Sequence, residues 1–117
     1  MSSNSNLSLS HEAWSACAEV PIRFGVRGRI KTAKNIQSTP WATWIIVPTK
    51  GYIELEGLGP ILARDVVNLE FESISEERIG RYVPAKKIDK TREITDFLTD
   101  QKIRWQEIAG IIRIQGN

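Results

Sequence analysis

The chain of 117 residues contains very few of the side chains on which most enzyme sites depend: one cysteine, Cys17, and one histidine, His11. A lone cysteine excludes an intrachain disulfide and any metal site built from several thiolates. Histidine is the usual general base near neutral pH, but His11 lies at the edge of a tail rich in Ser and Asn that would not hold it in register. We interpret His11 as solvent-exposed and Cys17 as a small buried hydrophobe. The sequence therefore predicts no catalytic residue and a protein that is not an enzyme.

Ligand-binding motifs are also missing. No P-loop or EF-hand spacing occurs, and Gly57 and Gly59 are followed by Pro60, which indicates a turn and not a dinucleotide fingerprint. A Mg²⁺ or Ca²⁺ site made of carboxylates alone stays open as an alternative. Its candidate ligands are the glutamates of the predicted strands: Glu54, Glu56, Glu70 and Glu72. We favour a solvated sheet face for these acids and predict no metal and no cofactor.

Long apolar runs are absent, since none approaches the roughly 20 residues of a membrane-spanning helix. The first residues lack the charged and apolar regions of a signal peptide. A reducing compartment fits the lone cysteine. We expect a cytoplasmic protein without a membrane partner.

What is present is the composition of an ordinary globular protein, with 41% hydrophobic and 26% charged residues. The length suits one domain with a real core. We predict that residues 1–10 form a disordered tail and residues 11–117 a single β-rich domain.

The central segment, residues 41–71, carries the strongest fold signal. Short runs of β-branched and aromatic residues alternate with glycine-containing turns, which predicts at least three consecutive antiparallel strands. The first of them, residues 41–47, is apolar on both faces. The stretch from Gly51 to Phe71 resembles in shape the strand–turn–strand units of SH3-like and Sm-like barrels, folds that host unrelated functions. We expect these strands to bury Trp44, Ile46, Leu55, Leu69 and Phe71.

On the N-terminal side, residues 11–19 predict a short helix capped by Ser10. Residues 20–30 begin with alternating apolar and basic side chains, which predicts a strand. Gly25 and Gly28 indicate a bend, a bulge or a close backbone approach there.

On the C-terminal side, residues 73–89 are ambiguous, with Ser75 as a possible cap for a helical turn. An apolar stripe predicts a helix over residues 91–101, followed by strands at 103–108 and 111–115. The prediction is a mainly β (α+β) fold of five to seven strands. It is a small partly open barrel or curved antiparallel sheet, with one C-terminal helix followed by a β-hairpin.

Charge is distributed in blocks along the chain although the net charge is only +2. Residues 22–35 hold five bases and no acid, residues 50–77 are mostly acidic, and residues 78–92 are again basic. The candidate binding residues are Arg23, Arg27, Arg29, Lys31, Lys34, Arg81, Lys86 and Lys87.

Two functions fit these blocks. The favoured one is a non-catalytic interaction or assembly module that acts through segregated charged faces. In this interpretation the basic strand is a solvated face whose arginines pair with the Glu54/Glu56 face through cross-strand contacts. The alternative is a small nucleic-acid-binding protein in which Arg23, Arg27 and Arg29 form a ladder on one strand face.

The aromatic side chains limit the second function, because Trp41 and Trp44 fall on opposite faces of their predicted strand and at most one can serve as a stacking platform. The expected partner is another protein or the chain itself. We hypothesise a homodimer joined along a strand edge or through the basic and acidic faces.

Overall fold

A computed structural model describes residues 9–77 and 80–116. In chain order its elements are α1 (His11–Phe24), β1 (Gly28–Thr32), β2 (Ile45–Ile46), β3 (Tyr52–Leu55), β4 (Ile61–Leu62), a 3-10 turn (Ala63–Asp65), β5 (Val66–Glu72), β6 (Ile74–Glu77), β7 (Lys86–Asp89), α2 (Thr91–Asp100), β8 (Gln106–Ile108) and β9 (Ile111–Gln115). Neither helix of this described part is long and apolar enough to cross a membrane.

The described strands form three antiparallel sheets that do not close into a barrel. One sheet has the order β1-β5-β9-β8, the second has the order β2-β3-β4, and β6 pairs with β7 in a hairpin. The predicted mainly β class is confirmed, as is a curved antiparallel arrangement with α2 followed by the β8–β9 hairpin. The strands within residues 41–71 belong to two different sheets. β2, β3 and β4 form one sheet, whereas β5 pairs with β1 and β9 in the other.

The core lies between the inner faces of the two larger sheets and the two helices. The four-stranded sheet contributes an apolar row in which Leu69 lies opposite Ile30 and Ile114. Leu55, Leu69 and Phe71 are fully buried, as predicted. The rest of the fully buried large side chains come from all parts of the fold: Val20, Ile30, Ile45, Ile53, Val66, Ile94, Leu98, Ile112 and Ile114.

The prediction of a strand over residues 20–30 is wrong in its first half. The predicted short helix does begin after Ser10, whose side chain accepts a hydrogen bond from the Ala13 N–H, but it continues through Pro21 to Phe24. Its buried side chains include Trp14, Cys17, Ala18 and Pro21, which have the three- and four-residue spacing of one helix face. Gly25 ends the helix in the left-handed conformation (φ 67°), so the chain reaches β1 only at Gly28.

The prediction that residues 41–47 form a strand covered on both sides is also wrong. Only Ile45 and Ile46 are in β2, and the buried member of the pair is Ile45, whereas Ile46 is exposed and Trp44 is half-buried. A shift of one residue turns every side chain of a strand to the opposite face. In β2 the buried residue is Ile45, which lies opposite Leu55 of β3.

Residues 74–77 form strand β6, so the suggestion of a helical turn capped by Ser75 is wrong. The helix after it begins at Thr91, where the Asp89 carboxylate accepts a hydrogen bond from the Thr91 N–H at 2.9 Å. Of the predicted tail, residues 1–8 lie outside the described residues, and Leu9 packs against the core.

Candidate interaction face

The outer face of the four-stranded sheet carries a polar row directly opposite the core. In the antiparallel register, Glu70 of the central strand β5 lies between Arg29 of β1 and Arg113 of β9, and Gln106 of β8 continues the row. Side chains alternate between the two faces of a strand, so Leu69 and Phe71 point into the core while Glu70 points outward.

Glu70 holds both flanking arginines through its two carboxylate oxygens. Arg29 Nε donates to Glu70 Oε1 at 2.7 Å, and Arg113 Nε donates to Glu70 Oε2 at 2.8 Å. The Glu70 side chain is only 3% exposed, whereas those of Arg29 and Arg113 are 29% and 40% exposed. The carboxylate therefore lies beneath its two partners, and solvent meets the guanidinium groups.

A second ion pair lies on the same side of the sheet. Arg27 Nε and Nη2 donate to the two oxygens of Glu72, both at 2.9 Å, in the bidentate geometry that arginine forms best with a carboxylate. The indole of Trp41 completes the group, with the guanidinium carbon of Arg29 at 4.3 Å and that of Arg27 at 5.9 Å from the ring centre. Both distances are within the range of a cation–π contact. We call this group of residues, Arg27, Arg29, Trp41, Glu70, Glu72 and Arg113, the arginine face.

Trp41 reaches this position because the segment before β2 covers the free edge of β1. The Thr39 N–H donates to the Ile30 carbonyl at 2.8 Å, and the Ala42 N–H donates to the Gly28 carbonyl at 2.7 Å. On the core side of β1, a β-carbon at Gly28 would come within 2.8 Å of the end of the Ile45 side chain, so glycine leaves room there for Ile45.

The electrostatics of Glu70 reflect two opposing effects. Burial alone would raise its pKa, but the hydrogen bonds and positive charges of Arg29 and Arg113 outweigh burial and hold the pKa below its usual value. Glu70 is therefore ionised at neutral pH and keeps both arginines in fixed positions.

The structure brings only part of the first basic block together. Arg27 and Arg29 belong to the arginine face, but Arg23 is on α1, where it pairs with Glu19 at 2.7 Å and lies over the ring of Phe97. The predicted ladder of three arginines on one strand is therefore wrong for Arg23, which the helix carries elsewhere.

The two lysines of the same block lie at the far end of β1 and in the loop beyond. Lys31 donates to the Asn35 carbonyl at 3.1 Å, and Lys34 is exposed in that loop. Lys31 is opposite Asn68 in the register with β5, one row beyond Arg29.

The second basic block is on the β6–β7 hairpin. Lys86 lies opposite Glu77 and Lys87 opposite Glu76, and Arg81 is exposed near the end of the hairpin. Only Ser73 separates the end of β5 at Glu72 from the start of β6 at Ile74, so the base of the hairpin adjoins the arginine face.

The predicted pairing of the arginines with Glu54 and Glu56 is wrong, because β3 belongs to the other sheet. Glu56 instead accepts hydrogen bonds from the N–H and the hydroxyl of Thr43, both at 2.7 Å, and these lower its pKa. The same separation removes the suggested line of Glu54, Glu56, Glu70 and Glu72. Among the described residues no three His, Cys, Asp or Glu side chains come close enough together to hold a metal ion.

Cys17 and His11 are placed as the sequence predicts. Cys17 is fully buried in the core, and this burial raises the pKa of its thiol to about 12. A thiol with that pKa carries almost no thiolate at neutral pH. His11 is exposed on the first turn of α1.

Sequence reasoning missed Arg113 and Trp105. The predicted strand at residues 111–115 alternates isoleucine with Arg113 and Gln115, and this pattern places Arg113 on the outer face. Trp105, just before β8, lines a depression of about 250 Å³ with Gln106 and Arg113.

The described residues form a small mainly β protein of open antiparallel sheets. One sheet face carries a cluster of arginines paired with glutamates. Comparison of the chain with protein-family models, curated proteins and solved structures finds no match.

Proposed function

We propose that this protein is a non-catalytic interaction module and that the arginine face is the surface with which it contacts a partner protein. The observation that carries the proposal is the position of Glu70, buried beneath Arg29 and Arg113 and bonded to both. Because the acid fixes the two guanidinium groups before any partner arrives, little side-chain freedom remains to be lost on binding.

The residue types also suit a protein interface. Arginine and tryptophan are enriched among the residues that dominate binding energy, and Trp41 lies within contact distance of Arg29. Each guanidinium has five N–H donors, so Arg29 and Arg113 retain donors after binding Glu70. A carboxylate-bearing partner segment fits these remaining donors.

Charge balance favours a protein over nucleic acid as the partner. Three arginines (Arg27, Arg29 and Arg113) face two glutamates (Glu70 and Glu72), so the arginine face has a net charge of 3 − 2 = +1. Nucleic-acid affinity grows with the number of phosphates neutralised, and arginines already paired to carboxylates contribute less to it.

A short oligoglutamate peptide provides a defined probe. Titrated at low ionic strength, it should shift the NMR signals of β1, β5 and β9 around Glu70, and Arg27→Ala should weaken binding about three- to tenfold. Arg92→Ala is the matched control, because Arg92 is an exposed arginine on α2, outside the arginine face. Absence of shifts around Glu70, or equal weakening by both variants, would exclude the arginine face as the binding surface.

Nucleic-acid binding is the second candidate, and the specific observation that favours it is Trp41 beside Arg27 and Arg29, with Lys31 on the same face. An aromatic ring among cations is the arrangement that binds single strands without strong sequence preference. A single-stranded oligonucleotide should then bind with an affinity that falls steeply with salt, and Arg27→Glu should weaken binding for all sequences and flatten the salt slope. No oligonucleotide binding at low ionic strength would contradict this candidate and leave the first unaffected.

A further inference from the structure

The β6–β7 hairpin is an anchored arm that carries apolar side chains into solvent at its end. Its two strands pack chiefly against each other. Its base is tied to the body, since the Ser73 N–H donates to the Gly110 carbonyl at 3.0 Å and the Lys90 N–H donates to the Ser73 carbonyl at 2.8 Å. Tyr82 is 91% exposed, and Val83 is exposed beside it. We call residues 81–84 the arm tip.

An apolar groove of about 310 Å³ runs between α1 and β2. Ile22, although on the helix that packs against the core, is 69% exposed in this groove, and Ile46 is exposed on the other side of it. Glu54 is opposite Ile46 in the register of β2 and β3 and therefore points to the same side of the sheet. Glu19 lines the helix side of the groove, where it bonds Arg23.

We propose that the arm tip of one copy binds in the groove of a second copy. The tip is apolar with a cation, Arg81, and the groove is apolar with an acid, Glu54, at its side. Exposed apolar patches rimmed by charge are typical of protein contacts, and opposite charges orient such contacts. A second copy is the occupant because this one chain carries both an apolar tip with a cation, Arg81, and a shallow apolar surface with an acid, Glu54, beside it.

Each copy has one tip and one groove, so a symmetric contact between two copies leaves neither surface free for a third. When two copies exchange arms about a two-fold axis, both tips and both grooves are covered, and assembly stops at a dimer of the 13.2 kDa chain. This arrangement differs from the homodimer predicted along a strand edge or between whole charged faces, and it goes beyond the proposed function, since it uses no residue of the arginine face.

Two single variants test the contact from its two sides. Ile22→Lys places a cation in the groove where Arg81 would approach, and Tyr82→Glu places an acid on the tip where Glu54 lies. Because Ile22 and Tyr82 are exposed, both variants should keep the wild-type circular dichroism spectrum. Sedimentation velocity over a concentration series should show the wild type dimerising and each variant at least about tenfold weaker.

The mixture of the two variants gives the sharper result. A heterodimer of the Ile22→Lys and Tyr82→Glu chains has one wild-type tip in one wild-type groove, and its second contact joins the new glutamate to the new lysine. We therefore expect the mixture to dimerise more strongly than either variant alone. A general effect on solubility would not produce this recovery.

Ile36→Lys is the matched control, because Ile36 is 93% exposed in the loop after β1, outside both the tip and the groove. It should leave the dissociation constant unchanged. The proposal is overturned by a wild type that stays monomeric up to about 1 mM, by an equal loss in the Ile36→Lys control, or by a mixture that associates no better than its components.

Discussion

The four-stranded sheet and the β6–β7 arm both place acidic and basic side chains opposite each other on paired strands. The two regions differ in how deeply these charged side chains are buried. In the sheet, Glu70 is buried beneath Arg29 and Arg113. In the arm, Glu76 lies opposite Lys87 in the ladder, and both side chains are exposed. Opposite charges in register thus form a fixed cluster in one region and a solvated ladder in the other.

The difference in burial arises because the inner face of the sheet packs on the core, whereas the two strands of the arm pack chiefly against each other. β5 is central in its sheet, with the core packed under Leu69, so its outward side chains project from a rigid surface. The arm has two strands, which are marginal by themselves, and its base at Ser73 is held by the body. The charges of the sheet therefore lie over a packed core, whereas those of the arm face solvent.

The largest expected effect on the free energy of unfolding comes from truncating an apolar side chain in the sheet and comparing it with the same kind of truncation in the arm. Leu69→Ala should cost about 2–5 kcal/mol of unfolding free energy, the usual range for a buried leucine. Val83→Ala at the exposed arm tip should stay within about 0.5 kcal/mol. Urea denaturation of both variants measures the contrast, and a similar loss in the two would show that the arm is part of the folded core.

Removal of the charge on Glu70 should have an intermediate effect on the free energy of unfolding. Glu70→Gln leaves Arg29 and Arg113 without their anion, and because both arginines are partly solvated the cost at neutral pH should be about 1–3 kcal/mol.

The pH dependence of that cost has a defined sign. The folded-state pKa of Glu70 is lower than its ordinary value, so its ionised form stabilises the fold fully above the ordinary glutamate pKa of about 4.3. This contribution is lost as the pH falls through the lower folded-state value. The difference in urea midpoint between wild type and Glu70→Gln should therefore be large at pH 7 and shrink below about pH 4; a difference that does not change with pH would contradict the assigned role.

The smallest effect is expected in the arm. Glu76→Gln removes one acid from an exposed ladder pair and should change the unfolding free energy by less than about 0.5 kcal/mol, because exposed ion pairs contribute little. A loss comparable to that of Glu70→Gln would remove the distinction between the two regions.

Local signals in the sequence predicted several elements correctly. Ser10 caps α1, α2 begins at Thr91, and the last strand covers residues 111–115 as predicted. Each of these depends on neighbours within a few residues, so the information is present in a short window. The buried positions Leu69 and Phe71 also follow from the alternation of their own strand.

The wrong predictions concern segments whose local pattern fits two structures. Residues 20–24 alternate as a strand would, but their place in a helix follows from the stripe that Trp14 begins. β2 buries Ile45 and exposes Ile46, a choice made by the partner strand β3 and not by two adjacent isoleucines.

Propensity, spacing and composition are enough to predict the mainly β class, the C-terminal helix and hairpin, and the burial of Cys17. The pairing of Arg27 and Arg29 with Glu72 and Glu70, and the position of Trp41 over these arginines, depend on how the strands are assembled. The arginines are more than 40 residues from their acids in the chain. No local pattern specifies such pairing; the core does, by placing β5 between β1 and β9.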